Sequence, residues 1–379
     1  MTWLRRLVLD VAPLREREVR LLWLARGVSF FGSMVTFVAV PFQMYRLTGS
    51  TAAVGLVGLV ELAAILGLAF VGGAMADGKD RRRIVLVTEA ALLCTSLALA
   101  GNAALARPSV IALFLLAGAM AGLDALQRPS LEAMLPMLVG PEQMPALSAL
   151  FSIEGTVGMI AGPALGGVLI ATVGASAAFL FDAGTFVASI ALLAALAAPR
   201  RRDGAERPSW RGVVEGLRYA RGRQDLLGTY IVDFVAMVFG MPMALFPAVA
   251  DEIGGPRTLG LLYAAPALGA LLASVGSGWT SRVGRHGVAI SISATVWGAG
   301  IVAFGFSRAL LPALAGLVVA GGADMVSGLF RMTLWNQTIP ERLRGRLASI
   351  ELISYSSGPA LGNAEAGLAG SVFGLPAAI

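Results

Sequence analysis

The chain alternates between long apolar stretches and short polar intervals. Eleven stretches each hold about 20 mostly apolar residues, the length that an α-helix needs to cross the hydrocarbon core of a bilayer. They begin near Leu21, Thr51, Ile84, Ser109, Ser148, Ala175, Leu226, Thr258, Gly287, Leu310 and Ala348. None has the alternating pattern of a barrel strand, and a backbone in lipid must satisfy its own hydrogen bonds. The pattern therefore predicts an all-α membrane protein with about eleven transmembrane helices.

Composition and charge agree with a membrane location. Hydrophobic residues make up 57% of the chain and charged residues 14%, against about a quarter charged in soluble domains. If the N-terminus is cytoplasmic, 24 of the 29 basic residues lie in the inner intervals. The positive-inside rule then predicts a multi-pass protein of the cell membrane with a cytoplasmic N-terminus. The net charge of +6 is explained by this topology and does not indicate a nucleic-acid partner. No signal peptide is expected, because the first apolar run lacks a small-residue cleavage pattern.

A hexapeptide repeat indicates an internal duplication. Gly162–Gly167 reads Gly-Pro-Ala-Leu-Gly-Gly, and Gly358–Asn363 repeats it with a final Asn, 196 positions later. Neighbouring segments repeat at similar offsets, since Pro141-Glu142 is echoed by Pro340-Glu341 and Ser152-Ile153-Glu154 by Ser349-Ile350-Glu351. Two copies placed in apolar stretches predict two pseudo-symmetric helical bundles, an arrangement common in secondary transporters.

The longest polar interval, 199–208, divides the chain. We expect a six-helix bundle over 1–198, a cytoplasmic linker over 199–225 and a second, five-helix bundle over 226–379. Apolar residues from Trp210 to Tyr219 have near-helical spacing, which fits either an amphipathic helix on the membrane surface or a solvated connection. By analogy with the first copy, a complete second bundle would need a twelfth helix that runs beyond Ile379. We therefore expect either a truncated chain or a helix that is missing by nature.

The interval after the second stretch contains a recognisable motif. Residues 73–83 resemble the Gly-x-Leu-Ala-Asp-Arg-x-Gly-Arg-Arg pattern of the major facilitator superfamily, with matches at Gly73, Asp77, Arg81 and Arg82. Asp80 stands where the pattern has its second glycine. The resemblance implies that this cluster is a conformational latch that holds one state of the transporter.

The latch has a plausible physical basis. Asp77 can accept hydrogen bonds at the positive N-terminus of a neighbouring helix. Arg81 and Arg82 can pair with an acid at the inner end of the fourth span, and Asp124 is the candidate. The alternative is that these arginines only anchor the inner membrane surface.

The fifth stretch carries a glycine-proline motif. Glycines four positions apart share one helix face and allow a second helix to approach closely, and a proline inside the helix removes one backbone hydrogen bond and bends it. The motif residues are Gly158, Gly162, Pro163, Gly166 and Gly167. A plain close-packing face would explain the Gly-x-x-x-Gly part alone, whereas the full spacing resembles that of the exporter branches of the same superfamily.

Three further segments strengthen the resemblance, namely Leu24–Ser29, Val40–Gln43 and Leu262–Ala270. Together they resemble the drug and siderophore exporters of the major facilitator superfamily. The resemblance implies two six-helix bundles around a central cavity, alternating access and coupling to the proton gradient. We therefore expect export of a small amphipathic organic molecule by proton antiport. An uptake permease of the same fold, and a non-transporting sensor or degenerate fragment, remain alternatives.

Charged residues within membrane spans are costly and are functional candidates by default. Glu61 and Asp233 lie near mid-span by count and are the leading candidates for a proton carrier or substrate contact, with Asp324 and Arg26 as further candidates. Arg26 could instead only neutralise an acid. Three further acids lie nearer the span ends, namely Glu89, Asp182 and Glu365. For these we expect either snorkelling or a structural pair.

Other chemistry is not indicated. The sequence contains no metal-ligand cluster, phosphate-binding Gly-Lys-Ser/Thr loop or nucleophile–base pair. We therefore expect no enzyme activity, no metal and no cofactor. The expected partners are a small-molecule substrate, protons and the lipid bilayer, and the expected state is a monomer.

Overall fold

The structure is a computed structural model. It describes residues 10–78, 80–197, 219, 222–339 and 341–379, with no side chains described at 69–70, 72–78, 225 and 341–356. Helices account for the regular structure in this part of the chain. Most of the predicted linker 199–225, including its expected amphipathic helix, lies outside the described residues.

Thirteen α-helices are numbered here in chain order within the described ranges. They are α1 (Arg17–Thr48), α2 (Thr51–Gly78), α3 (Arg81–Ala104), α4 (Val110–Leu138), α5 (Met144–Thr172), α6 (Ala175–Ala194), α7 (Gln224–Phe239), α8 (Phe246–Ile253), α9 (Pro256–Val275), α10 (His286–Gly305), α11 (Leu310–Thr338), α12 (Glu341–Phe373) and α13 (Leu375–Ala378). Ten segments among the described residues are long and apolar enough to cross a membrane. The eleventh predicted stretch falls within α12, so the prediction of an all-α membrane protein is confirmed.

The seventh predicted span is broken. Between α7 and α8 the backbone forms a 3₁₀ turn, Pro242–Leu245, because prolines lack the amide that a continuous helix would use. Neighbouring side chains satisfy the backbone that the break exposes. Tyr263 Oη donates to the Met243 carbonyl at 3.1 Å, and the Ala244 amide donates to Asn363 Oδ1 at 3.1 Å. Irregular backbone at membrane depth needs such partners.

Two helices are longer than the hydropathy pattern predicts. α4 continues through Pro129 and Pro136 to Leu138, and α11 continues through Arg331 to Thr338. Asp124 therefore lies at the middle of α4, 14 positions from either end, and not at the inner end of the fourth span. Arg331, which the sequence placed in an inner interval, lies within a helix and is buried.

The described helices form two compact units. The first joins residues up to Val40 with Ala63–Glu206, and the second joins Pro41–Leu62 with Arg207–Ile379. The division along the chain lies within the predicted linker, while the end of α1 and the first half of α2 belong to the second unit. In the first unit, an apolar cluster ties together α1, α3, α4 and α6. Its buried members are Leu22, Ala25, Val85, Met134, Leu193 and Leu196.

Close helix crossings built on glycine organise the second unit. A Cβ atom added to Gly269 of α9 would overlap the Val318 carbonyl of α11, and one added to Gly321 of α11 would overlap the Pro266 carbonyl of α9. On another side of α11, Gly316 lies against Gly300 of α10. A Cβ added to either glycine would lie 2.7 Å from the carbonyl oxygen of the other. Small residues therefore hold α9, α10 and α11 at backbone contact.

Candidate functional site

The glycine-proline motif of α5 forms a close contact with α1 in the first unit. Cβ atoms added to Gly158 and Gly162 would overlap the Phe30 ring and Met34, respectively. All the predicted motif residues are buried, namely Gly158, Gly162, Pro163, Gly166 and Gly167. The spacing of four residues places the glycines on one face, as the sequence indicates, and the partner of that face is α1.

The second copy of the motif packs in a comparable way within the second unit. Cβ atoms added to Gly358 and Gly362 of α12 would meet the Cβ and the backbone carbonyl of Met237 in α7. Asn363, which replaces the last glycine, accepts the hydrogen bond from the backbone break after α7. The sequence repeat thus corresponds to a repeated contact, α1 with α5 and α7 with α12.

A guanidinium and a carboxylate lie on the α1–α5 interface beside these glycines. Arg26 Nε is 3.8 Å from Glu154 Oε1, and the Arg26 guanidinium carbon lies 4.4 Å from the centre of the Phe151 ring. A Cβ on Gly27 would lie 3.2 Å from Glu154. Glu154 was missed as a candidate by the sequence reasoning, although a carboxylate ten residues into an apolar helix is itself a signal.

The motif of residues 73–83, which spans the end of α2 and the start of α3, is described only in part. Gly73 and Asp77 belong to α2, and the structure does not describe the side chain of Asp77. Asp80 accepts from the Arg83 amide at 3.3 Å and caps the N-terminus of α3. Asp is a preferred N-cap residue, which explains locally why this position holds Asp where the superfamily pattern has Gly.

The two motif arginines contact different helices. Arg82 donates to the Leu193 and Ala194 carbonyls at 3.1 and 2.7 Å, at the C-terminus of α6. A cation at this position satisfies carbonyls that the helix leaves free and complements its dipole. Arg81 donates to the Ala133 carbonyl of α4 at 3.4 Å. This contact lies nine residues further along α4 than Asp124, the partner that the sequence suggested for both arginines.

Asp124 instead interacts electrostatically with Arg26. Its side chain is exposed at the middle of α4, and the charges that act on it come from Arg128 and Arg26. Arg128 pairs at 3.0 Å with Glu132, one turn along the same helix. Asp124, Arg26 and Glu154 therefore belong to three neighbouring elements of the first unit, α4, α1 and α5.

Two acids for which either snorkelling or a structural pair was expected are buried in the first unit. Asp182 has no exposed surface and accepts hydrogen bonds from Thr36 at 2.7 Å and Ser96 at 2.8 Å. Glu89 is 3% exposed and accepts from Ser29 at 3.1 Å and Gln127 at 2.8 Å. Each carboxyl joins three helices through neutral donors, so the snorkelling part of the prediction is wrong for both.

In the second unit, Arg331 bridges the two predicted aspartates. It forms an ion pair with Asp233 of α7 and a looser one, at 3.7 Å, with Asp324 of α11. Arg331 escaped the sequence reasoning because the pattern placed it in a loop. Its spacing of seven from Asp324, two helical turns, was the signal that could have found it. A small pocket adjoins the pair and is lined by Asp233, Met237, Ser293, Trp297, Asp324 and Ser327, among others.

Glu61 has a different environment from these acids. It lies in α2, in the segment that belongs to the second unit, and is partly buried. Within the described part of the chain its carboxylate has neither a hydrogen-bond nor an ion-pair partner. Glu365 of α12 is also partly buried. Of the predicted candidates, Asp233 and Asp324 are brought together, while Glu61 and Arg26 lie in different units.

Comparisons with known proteins agree with this architecture. The family model described as transmembrane secretion effector matches residues 9–379. The chain is 31% identical over 362 residues to the enterobactin exporter EntS of Shigella boydii serotype 18, covering 93% of this chain and 85% of that protein, and it has the same values for EntS of Escherichia coli O139:H28.

Solved transporters share the fold. A bacterial homologue of the iron transporter ferroportin in an inward-facing state has a TM-score of 0.75 at 18% identity, covering 94% of this chain and 91% of that one. The nucleoside transporter NupG, as its D323A mutant, has a TM-score of 0.78 at 12% identity, with 94% and 93% covered. Such identities show the fold alone. On the family match and the relatives, this multi-pass membrane protein belongs to the transmembrane secretion effector family of the major facilitator superfamily.

Proposed function

We propose that this protein exports a small amphipathic organic molecule, a siderophore or a drug, from the cytoplasm by proton antiport with alternating access. Membership of an exporter family and the relatives' function as enterobactin exporters support efflux of this substrate class. The N-terminus is proposed to be cytoplasmic, from the distribution of basic residues.

One observation supports the proposal of proton coupling, namely that the carboxyl group of Glu61 has no partner among the described residues. A carboxylate in an apolar helix is costly unless it is paired or hydrated. Asp233 forms an ion pair with Arg331, whereas Glu61 has no such partner among the described residues. Glu61 is therefore the better proton carrier of the two, and Asp324, held more loosely, is the second candidate. Antiport requires that the protonated and substrate-bound forms differ in their preferred state.

Whole-cell accumulation tests the direction of transport. Cells that express the protein should accumulate less of a fluorescent amphipathic drug than cells that carry an empty vector. A protonophore should abolish that difference, because it removes the driving force for antiport. Lower accumulation in the empty-vector cells would instead indicate an uptake permease.

We further propose that the motif of Gly73, Asp77, Arg81 and Arg82 latches one state of the cycle. Asp77→Asn is expected to reduce export to the empty-vector level while the amount of protein in the membrane stays unchanged. Glu142→Gln, which removes an exposed carboxylate from the turn before α5, is the control. Wild-type drug efflux by Asp77→Asn would remove this proposal.

A further inference from the structure

The small pocket between α7, α10 and α11 of the second unit combines acidic, hydroxyl and aromatic groups. α7 contributes Asp233, α10 contributes Ser293 and Trp297, and α11 contributes Asp324 and Ser327. Residues 293 and 297 are one turn apart, as are 324 and 327, so each helix presents one face to the pocket. The other lining side chains are apolar, and no lining residue in the described part of the chain is basic. The pocket therefore offers a ligand mainly hydrogen-bond acceptors in an apolar wall.

The carboxylate of Asp324 is only partly neutralised by its surroundings. Its side chain is 47% exposed, and its Oδ1 atom lies 3.7 Å from Arg331 Nη2, beyond the distance of a hydrogen bond. The same guanidinium is engaged more closely by Asp233. Two carboxylates thus share one guanidinium, which leaves an excess of negative charge beside the pocket when the three groups are ionised. A carboxylate within a membrane helix is costly unless it is paired, so this position favours a cation.

The two serine side chains give an independent indication of a ligand. Ser293 is 7% exposed and Ser327 is 8% exposed, and both line the pocket. Neither hydroxyl has a hydrogen-bond partner among the residues that the structure describes, whereas Ser291 on the same helix as Ser293 donates to the Gly287 carbonyl. Buried polar groups normally have a partner. Two buried hydroxyls without one, beside a carboxylate, indicate a polar group that binds in the pocket.

Trp297 adds an aromatic surface to the wall of the pocket. A Cβ atom added to Gly240, at the end of α7, would overlap the Trp297 ring, so the absence of a side chain at Gly240 lets the indole lie directly against α7. Tryptophan is the best aromatic partner of a cation. The indole, the hydroxyls and the carboxylate therefore all suit a positively charged group with N–H donors.

We propose that this pocket binds the primary ammonium group of an amphipathic amine, with Asp324 as its counter-charge. Ser293 and Ser327 accept its hydrogen bonds, and Trp297 contacts it through the indole ring. A primary ammonium group has three N–H donors and no acceptor, which matches one carboxylate and two hydroxyls. A quaternary ammonium group would leave the hydroxyls without a partner. This proposal assigns a ligand site beyond the proposed export function and does not depend on transport.

Equilibrium binding to the purified full-length protein in lipid nanodiscs tests the site. The probes are 2-phenylethylamine, its neutral analogue 2-phenylethanol and its N,N,N-trimethyl derivative, and empty nanodiscs correct for partition into lipid. At neutral pH the wild type should bind the amine about tenfold more tightly than the alcohol, as expected for one charge-assisted contact. The trimethyl derivative keeps the charge but has no N–H donor, so it should bind more weakly than the amine by a similar factor.

Two substitutions separate the charge from the hydrogen bonds. Asp324→Asn should abolish the preference for the amine over the alcohol, whereas Asp251→Asn, which removes an exposed carboxylate of α8, should retain it. Ser293→Ala should weaken binding of the amine by about threefold to tenfold and leave the trimethyl derivative unchanged. Ser291→Ala, an exposed position on the same helix, is its control and should match the wild type.

The serine variant decides the matter if Asp324→Asn does not fold. The proposal is overturned if the wild type shows no preference for the amine over the alcohol, or if folded Asp324→Asn keeps that preference. It is also overturned if the trimethyl derivative binds as tightly as the amine, or if Ser293→Ala binds the amine as the wild type does.

The outcomes for the site and for the proposed function are distinguishable. Proton-linked drug movement in proteoliposomes without a preference for the amine would overturn the ammonium site and leave export standing. A preference that depends on Asp324, in a protein that moves no drug, would support the site and contradict export.

Discussion

Carboxyl groups within the helices of this protein differ chiefly in what surrounds them. Hydroxyl groups enclose Asp182, a guanidinium holds Asp233, and Glu61 has no described partner. These environments imply different tasks, since a satisfied carboxyl stabilises helix packing whereas an unsatisfied one can exchange a proton or bind a ligand. The hydropathy pattern alone does not distinguish the three carboxyl groups, because it does not reveal the side chains that contact them in the folded protein.

Asp182 is predicted to be a structural residue of the first unit. Asp182→Ala leaves Thr36 and Ser96 without their acceptor, and unsatisfied buried groups cost about 1–3 kcal/mol each. We expect the thermal midpoint of the purified protein to fall by at least about 4 °C, as measured by loss of monodisperse protein on heating. Asp182→Asn keeps an acceptor oxygen and should lose less than half as much, so an equal loss in both variants would contradict the hydrogen-bond account.

The Asp233–Arg331 pair is predicted to stabilise the second unit. Removing one member of a buried pair costs about 3–5 kcal/mol because the other charge loses its partner. After Asp233→Ala, Arg331 keeps only the looser contact with Asp324, at 3.7 Å. Asp233→Ala and Arg331→Ala should therefore each be severely destabilised, and the double variant should be destabilised by at least about 1 kcal/mol less than their sum. Denaturant midpoints of the single and double variants measure this coupling, and strictly additive effects would show that the pair contributes nothing.

At the scale of helices, the repeated contact of α1 with α5 and α7 with α12 is the most regular feature. Both contacts depend on glycines that let one backbone approach another helix. The two copies differ in the backbone of one partner helix. α1 runs without interruption, whereas α7 ends at Phe239 and the chain then turns through Pro242–Leu245. The same interaction therefore supports two different local backbones.

Two alanine substitutions in α5 test the close contact with matched chemistry. Gly162→Ala places a methyl group against Met34 and the Phe31 carbonyl, whereas Gly155→Ala places one in open space. Overpacking costs about 1–3 kcal/mol, so Gly162→Ala should lower both stability and drug efflux. Gly155→Ala should match the wild type within about 0.5 kcal/mol. Similar losses in both variants would indicate a general effect of alanine and not the helix contact.

Much of the helical framework follows from the sequence, and particular residues show where that inference stops. Long apolar runs and the hexapeptide repeat predict the helices and their duplication. Asp124 and Arg331 were misplaced because a polar or proline-containing segment ends an apolar run but does not end a helix that its neighbours stabilise. Glu154 was missed because its significance depends on Arg26, which lies 128 positions earlier and contacts it only after folding.

At the scale of the whole molecule, the helical framework is duplicated, but the charged residues within the helices differ between the two units. The first unit holds Arg26 with Glu154, and the second holds Arg331 between two aspartates. The second unit also holds Glu61, whose carboxylate has no partner among the residues that the structure describes. Solved transporters share the fold at 12–18% sequence identity, so the framework does not define the transported molecule or its coupling. We propose that those properties depend on the charged residues within the helices.

The central claim is proton-coupled export with Glu61 as the proton carrier, and proteoliposomes test it most directly. The measurement is proton movement and drug movement together, in vesicles with an imposed pH gradient, for the wild type, Glu61→Gln and the exposed control Glu132→Gln. The account predicts that drug and protons move in opposite directions for the wild type and Glu132→Gln, and that Glu61→Gln loses drug movement driven by the gradient. Full proton-linked drug movement by Glu61→Gln would contradict it.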